Sequence, residues 1–261
     1  MKRLYIIIFG FAIMLSSCEK VIDLNLDKTS PKIVIESFLT DLSTRHTVSV
    51  STTSDFTASN AKIPVSNATV VLTTGSGLVI NFTEQSPGNY ISPRYRGVPG
   101  EKYTLTVTSD GKSYSATSVM PLPVPIQSLE QIEVSFFGEA RKVVQVIYKD
   151  PKGFVNFYNI RVFVNNIKRG DYYLESDRFN NGNEVKNTIY LDEPDLVPGD
   201  LVRVQMLTID ENVYKFLFSI TQISGNGGPP TTPANPNSNF NNGALGFFSA
   251  STSSEATVTI K

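Results

Sequence analysis

Short segments in which apolar and polar side chains alternate run through most of the chain, and they constrain the fold more than any other feature. In 102–108, for example, Tyr103, Leu105 and Val107 share one face and threonines occupy the other. Successive side chains of a strand point to opposite faces, so this pattern predicts a half-buried β-strand. Strands are predicted at 32–39, 47–53, 65–74, 78–83, 102–108, 112–119, 142–149, 157–165, 171–175, 188–191, 201–208 and 256–260.

Turn residues divide these strands into two groups. Asp110-Gly111 is a strong two-residue hairpin pattern between neighbouring strands. Three prolines at alternate positions in 121–126 favour an extended, semi-rigid segment. We therefore predict an all-β fold of two immunoglobulin-like β-sandwich units, an N-terminal domain at 31–120 and a C-terminal domain at 127–261, joined by a Pro-rich linker.

One internal comparison supports two similar units. Residues 98–101 read Val-Pro-Gly-Glu and residues 197–200 read Val-Pro-Gly-Asp, and each leads into an alternating strand. Such turns also recur by chance, so a structural repeat and a coincidence both stay open. The comparison favours two sandwiches over one large barrel.

One segment of the C-terminal unit, 210–223, has helical periodicity instead. Its apolar side chains recur three and four residues apart, which places them on one helical face. They are Val213, Phe216, Leu217, Ile220 and Ile223. Asp210 suits the N-cap and Gly225 the stop. We predict one short helix packed on the second sheet, with a docking helix for a partner as the alternative.

The chain begins with a pattern typical of an exported protein. Lys2 and Arg3 precede an apolar run at 4–15, shorter than the roughly 18–20 apolar residues of a spanning helix. The run ends in Leu-Ser-Ser-Cys, which resembles a bacterial lipobox at Cys18. That resemblance implies a lipoprotein signal peptide at 1–17, lipid on the Cys18 sulfur, acylation of the new amino terminus, as by palmitate, and a lipidated leader at 18–30. The alternative is an ordinary signal peptide with a chance cysteine.

Composition excludes some partners. The chain has 23 basic and 24 acidic residues and a formal net charge of −1. It has no basic stripe, so we expect no nucleic-acid partner. Only the predicted lipid points to a membrane.

Residues suited to catalysis or metal binding are few. His46 is the only histidine and Cys18 the only cysteine, so neither a nucleophilic triad nor a zinc site is supported, and His46 is interpreted as a surface residue. The acidic segment 192–195 does not have the spacing of a known calcium loop, so we interpret it as solvated. We expect no catalytic residue, no metal and no cofactor.

A polar, Gly- and Pro-rich loop at 225–242 precedes an apolar segment near the C-terminus. Four apolar residues there are the candidates for a partner-binding surface: Phe240, Leu245, Phe247 and Phe248. Packing into the core is the other use open to them.

The order of these features resembles a known family. The lipobox and the sequence that follows it, the turn at 98–103, the Met120-Pro121 exit and the tail at 243–248 resemble the Bacteroidota lipoproteins catalogued as domain of unknown function 4249. The resemblance implies an outer-membrane lipoprotein, possessing no established activity and often encoded beside a TonB-dependent receptor.

Three functions follow as hypotheses. The first is a non-enzymatic accessory lipoprotein, lipid-anchored in the outer membrane at the cell surface or beneath it, that binds a TonB-dependent outer-membrane receptor or its cargo during nutrient uptake. The second is a surface adhesin or glycan-binding module. The third is a hydrolase with two carboxyl groups about 5–10 Å apart in a cleft.

Overall fold

A computed structural model describes residues 30–54, 62–136, 138–223 and 236–261. Over these residues it confirms the all-β prediction, with two β-sandwiches and one α-helix. The strands are β1 (Ile33–Thr40), β2 (Thr44–Thr52), β3 (Ile63–Pro64), β4 (Thr69–Thr74), β5 (Val79–Asn81), β6 (Thr83–Ser86), β7 (Asn89–Tyr95), β8 (Lys102–Ser109), β9 (Lys112–Val119), β10 (Ile126–Phe136), β11 (Glu139–Lys149), β12 (Phe157–Val164), β13 (Ile167–Ser176), β14 (Glu184–Ile189), β15 (Leu201–Ile209) and β16 (Leu245–Thr259). The helix is α1 (Glu211–Ile223), and a 3₁₀ turn covers Asp177–Phe179.

The first sandwich packs two sheets face to face. One sheet has the order β16-β1-β2-β7-β6, and the other has the order β5-β4-β8-β9. Their inward side chains form one core, in which Ile35 and Val48 come from the first sheet and Leu72 and Leu105 from the second. All four follow the alternation seen in the sequence, which is why these segments form strands.

The second sandwich is built in the same way. The sheet β13-β12-β15-β16 packs on the sheet β10-β11-β14. Ile160 and Val204 of the larger sheet meet Val146 and Tyr148 of the smaller one in a separate core.

The two sandwiches repeat one topology. In the first, β1 pairs β2, β2 pairs β7, β4 pairs β5 and β8, and β8 pairs β9, all antiparallel. In the second, β10 pairs β11, β11 pairs β14, β12 pairs β13 and β15, and β15 pairs β16, again antiparallel. Seven strands of each unit therefore match in chain order and in pairing.

The two Pro-Gly turns occupy equivalent places in this repeat. Gly100 has φ +84° and donates its N–H to the carbonyl of Met120 at 2.8 Å; Gly199 has φ +96° and donates to Ile260 at 2.8 Å. A positive φ at the third residue of a type II turn requires glycine or asparagine. The short sequence match therefore corresponds to one structural feature used twice.

An insertion in the second unit joins the two units. Where β8 and β9 are connected by a two-residue hairpin, β15 and β16 are separated by α1 and a long segment. The first part of β16 pairs in parallel with β1, and its second part pairs with β15. One strand therefore belongs to both sandwiches, and the larger sheets form a continuous nine-stranded sheet.

The predicted helix is confirmed at Glu211–Ile223. Asp210 caps it, because its carboxylate accepts the N–H of Val213 at 3.0 Å. Val213 and Leu217 are buried against a third cluster, which includes Phe38 of β1 and Phe247 of β16. The helix therefore packs on the sheet where the two sandwiches join, as well as on the second unit.

Three strands, β3, β7 and β10, have no counterpart among the predicted segments, and β6 overlaps the predicted strand at 78–83 only at Thr83. β10 lies at the edge of the three-stranded sheet, and most of its side chains are exposed or half-buried, so its sequence lacks a clean alternation. Residues 121–125 carry no strand, as expected of a linker, and the exact domain limits stay a prediction.

Candidate functional site

The candidate site is a groove at the open edge of the second sandwich. There β13, the edge of the nine-stranded sheet, faces β14, the edge of the three-stranded sheet. Two cavities open along this edge, and both are lined by Ile189 and Tyr190. We call this surface, from Arg141 across Tyr190 to Glu175, the Tyr190 groove.

The first cavity, about 250 Å³, lies between the two edge strands. The Asn187 amide of β14 donates to the Glu175 carboxylate of β13 at 3.0 Å. The Tyr173 hydroxyl donates to the Tyr190 carbonyl at 3.0 Å. These two bonds hold the edges together through side chains and leave a pocket lined by aromatic, carboxylate and amide groups.

The second cavity, about 310 Å³, lies between β11 and the chain that follows β14. Arg141 Nε lies 3.5 Å from the Asp195 carboxylate at its rim. The Arg169 guanidinium of β13 donates to the carbonyls of Asp192 and of Pro194 in the same loop, the latter at 2.8 Å. Residues 192–195 are all exposed, as predicted for a solvated loop, and three of them also line the cavity.

Tyr190 is the central exposed group of the groove. Tyr190 is 57% exposed. This is unusual, because burial of a large aromatic ring ordinarily stabilises a protein. Stacking on an aromatic face and hydrogen bonding to carboxylate, amide and guanidinium groups are together available within this one surface. The arrangement suits reversible binding of a ligand that has both an apolar face and polar edges.

Burial changes the electrostatics of the first cavity. Desolvation raises the pKa of Glu175, and the hydrogen bond from Asn187 partly opposes that rise. The Glu175 carboxylate is therefore stabilised mainly by one neutral hydrogen-bond donor, the Asn187 amide. Such a site accepts hydrogen bonds from ligand hydroxyl or amide groups.

The residues predicted as a partner surface lie elsewhere and are mostly buried. Phe240 and Phe248 belong to the first core, and Phe247 packs with Phe216 under the helix at a centroid distance of 5.3 Å. Leu245 is half-buried at the start of β16. Core packing, the other use open to them, is what this structure shows. Cys18 and loop residues 224–235 lie outside the described residues.

The surface interpretation of His46 is wrong. His46 is only 4% exposed, and its Nε2 lies 3.0 Å from the Tyr95 carbonyl. Burial lowers the pKa of the ring. β2 begins at Thr44, so His46 lies on the inward face with Val48 and Val50. Extending the predicted strand at 47–53 toward the N-terminus would have placed His46 on this buried face.

The described part of the chain lacks two further features. It contains no group of three or more His, Cys, Asp or Glu side chains placed to hold a metal ion. None of its helices has the length and apolar character needed to cross a membrane.

Sequence reasoning missed the groove residues Tyr190, Glu175, Asn187 and Arg141. They come from β11, β13, β14 and the residue that follows β14, which meet only in the folded sandwich, and none belongs to a local motif. The only sequence feature that bears on them is the acidic segment 192–195, which lines the second cavity in part.

A family profile described as domain of unknown function (DUF4249) matches residues 19–257. No curated protein matches the sequence.

Proposed function

The chain belongs to the family of domain of unknown function 4249, and from that premise we propose that it is a non-enzymatic lipoprotein of the outer membrane that assists a TonB-dependent receptor in nutrient uptake. In this proposal Cys18 carries the lipid, and the Tyr190 groove binds the receptor or its cargo. Membership supplies no catalytic role, so the proposal depends on the residues themselves.

The anchor is supported by the sequence before the first strand. Lys2, Arg3, the apolar run at 4–15 and Cys18 have the order that export and lipidation need. Each buried methylene of an acyl chain contributes about 0.8 kcal/mol, so several chains hold a protein stably at a membrane.

The single observation that supports binding over catalysis is the composition of the Tyr190 groove. Its cavities join an exposed tyrosine to polar groups that are already paired, Glu175 with Asn187 and Arg141 with Asp195. A general acid and base need a carboxyl group poised against the reacting atom. Paired groups around an aromatic face instead serve recognition, in which preformed geometry lowers the cost of ordering.

The test is affinity purification of the tagged full-length protein from outer membranes in mild detergent, followed by mass spectrometry. Recovery of a large β-barrel receptor in near-stoichiometric amount supports the proposal. The Cys18→Ala variant, which cannot be lipidated, is expected to lose membrane association. Recovery of the wild-type lipoprotein alone from well-solubilised membranes would rule out a stable receptor complex.

A second function, glycan binding at the surface, is favoured by Tyr190 itself. Sugar rings stack their C–H faces on aromatic rings, and Glu175 and Asn187 lie in the adjoining cavity to meet hydroxyl groups. Tyr190→Ala is expected to abolish retention on immobilised glycans. Phe218→Ala, which removes a partly exposed aromatic ring from α1, is the matched control. Equal retention of both variants would count against glycan binding in the groove.

A further inference from the structure

A second polar cluster lies at one end of the second sandwich and adjoins the Tyr190 groove, because its member Tyr158 pairs across the strands with Glu175. It forms where the chain between β11 and β12 meets the chain between β13 and β14. Its members are Asp150, Asn156, Tyr158 and Asp177, which we call the Asp150 cluster. Asp150 is 1% exposed, Asp177 5% and Asn156 7%.

Asp150 is fixed by donors from two elements. Its Oδ1 accepts the Tyr158 hydroxyl, and its Oδ2 accepts the backbone N–H of Gly182 at 3.3 Å. The Asp177 carboxylate accepts the side-chain amide of Asn181, the residue before Gly182. The two carboxylates therefore reach adjacent residues of one turn and are near neighbours.

No cation in the described chain balances these charges. Among the described residues, the Asp177 carboxylate accepts a hydrogen bond only from the Asn181 side-chain amide, at 3.3 Å. No Lys or Arg of these residues forms an ion pair with Asp150 or Asp177. Two buried carboxylates without a positive partner are costly, because each loses its hydration.

An independent observation points to ligand binding at this cluster. The Asn156 side-chain oxygen is buried and has no hydrogen-bond partner. The backbone N–H of Asp177 donates to the Asn156 carbonyl at 3.1 Å, next to the pair Phe157–Ser176. Asn156 therefore lies opposite Asp177, and side chains opposite each other in an antiparallel pair lie on the same face.

The direction of that face follows from Tyr158. Residues two apart on a strand point the same way, so Asn156 points with Tyr158, whose hydroxyl reaches Asp150. The unpartnered Asn156 oxygen is thus aimed toward the side on which both carboxylates lie.

We propose that the Asp150 cluster binds Ca²⁺, with Asp177, Asn156 and Asp150 as the side-chain ligands. All three supply oxygen, and Ca²⁺ takes six to eight oxygen ligands in flexible geometry, including amide and backbone carbonyls and water. The cluster holds no nitrogen or sulfur ligand, which disfavours zinc. Because the cluster has only two carboxylates, we expect a weak site like those of extracellular modules, with a dissociation constant on the order of 10⁻⁴–10⁻³ M.

The test uses Tb³⁺, which replaces Ca²⁺ at oxygen sites and emits when a nearby aromatic ring is excited. The chain has no tryptophan, and Tyr158, which contacts Tyr148 edge to face at a centroid distance of 5.0 Å, adjoins Asp150. The full-length protein in detergent is expected to give tyrosine-sensitised Tb³⁺ emission that decreases when Ca²⁺ displaces the Tb³⁺.

Thermal unfolding gives a second measurement. About 10 mM Ca²⁺, at ten to a hundred times the dissociation constant, is expected to raise the Tm by about 3–10 °C.

Variants separate a specific site from general charge. Asp177→Asn keeps the shape and is expected to weaken Tb³⁺ binding at least tenfold, whereas Asn156→Asp adds a charged ligand and is expected to tighten it. Asp110→Asn makes the same charge change in the exposed β8–β9 turn, where asparagine also tolerates the positive φ, and serves as the control.

Two results would overturn the proposal. One is equal Tb³⁺ binding by Asp177→Asn and Asp110→Asn. The other is the absence of wild-type emission and of any Ca²⁺ effect on Tm, together with an Asp177→Asn variant that melts above wild type. That second result would show that the variant only relieves repulsion between two structural carboxylates.

Discussion

At the scale of single residues, Gly246 is the described glycine at which an added Cβ atom would meet the closest neighbour. Its φ is +95°, and a Cβ atom built there would lie 2.0 Å from the carbonyl oxygen of Ile35 on β1. Only glycine can bring the two backbones this close, and this contact occurs where β16 joins the first sandwich.

We therefore expect Gly246→Ala to lower the free energy of unfolding by about 2–5 kcal/mol, from the strained φ and the steric clash together. Gly199→Ala is the matched control, because Gly199 has φ +96° but no atom within 4 Å of a built Cβ. Gly199→Ala is expected to lower the free energy of unfolding by about 1–2 kcal/mol, from the strained φ alone. Urea unfolding measures both, and equal losses would show that the contact with β1 has no effect.

His46 predicts a pH dependence with a definite sign. Burial depresses its pKa in the folded state, so the unfolded state, with a pKa near 6.5, binds the proton more readily. Its contribution to stability is present above about pH 6.5 and is lost as the pH falls through the folded pKa.

Because His46 is the only histidine, the variant His46→Gln isolates this effect. Glutamine keeps a donor for the Tyr95 carbonyl but does not titrate in this range. The free energy of unfolding of wild type minus that of the variant is expected to decrease below pH 6.5 by up to about 1.4 kcal/mol per pH unit. A difference that stays constant from pH 5 to 7.5 would contradict this assignment.

At the scale of elements, helix α1 connects the two sandwiches through its buried face. Leu217 is fully buried in the cluster that includes Phe38 of the first unit and Phe157 of the second. The helix itself could be predicted, because its apolar face and its N-cap are local. Its contact with β1 could not, since periodicity shows which face is buried and not what covers it.

Leu217→Ala is expected to cost about 2–5 kcal/mol, because the helix and sheet cannot close the cavity completely. Lys215→Ala removes only an exposed ion pair with Glu211 and is expected to cost less than about 0.5 kcal/mol. Thermal unfolding by circular dichroism compares the two. Comparable losses would mean that α1 is held on the sheet by something other than its apolar face.

The tail shows the same limit of prediction. Phe247 and Phe248 point to opposite faces of β16, so one enters the helix cluster and the other the first core. The sequence showed an apolar segment but not its pairing with β1, which lies more than 200 residues earlier. Long-range parallel pairing leaves no local trace, and the partner-surface hypothesis for these residues arose from that gap.

At the scale of the whole molecule, two copies of one topology share a strand. The local pattern and the Val-Pro-Gly turns were enough to predict two sandwiches. The shared β16 and the groove between β13 and β14 depend on which edges meet, which alternation does not specify.

Because β16 pairs with β1 and β15, we expect the two sandwiches to unfold in one cooperative transition. Hydrogen exchange read by mass spectrometry should give the same global opening free energy for β8 and for β12. Gly246→Ala should lower both values together. Two separate transitions, with only the first unit affected by the variant, would show that the shared strand does not couple them.

The central claim is that the Tyr190 groove contacts an outer-membrane receptor, and site-specific photo-crosslinking in living cells tests it most directly. A crosslinking residue in place of Tyr190 is expected to give an adduct with a large β-barrel receptor. The same residue in place of Thr117, an exposed position on β9 of the first sandwich, is expected to give none. A receptor adduct from position 117 and none from position 190, or no receptor adduct from either position, would contradict receptor contact through the groove.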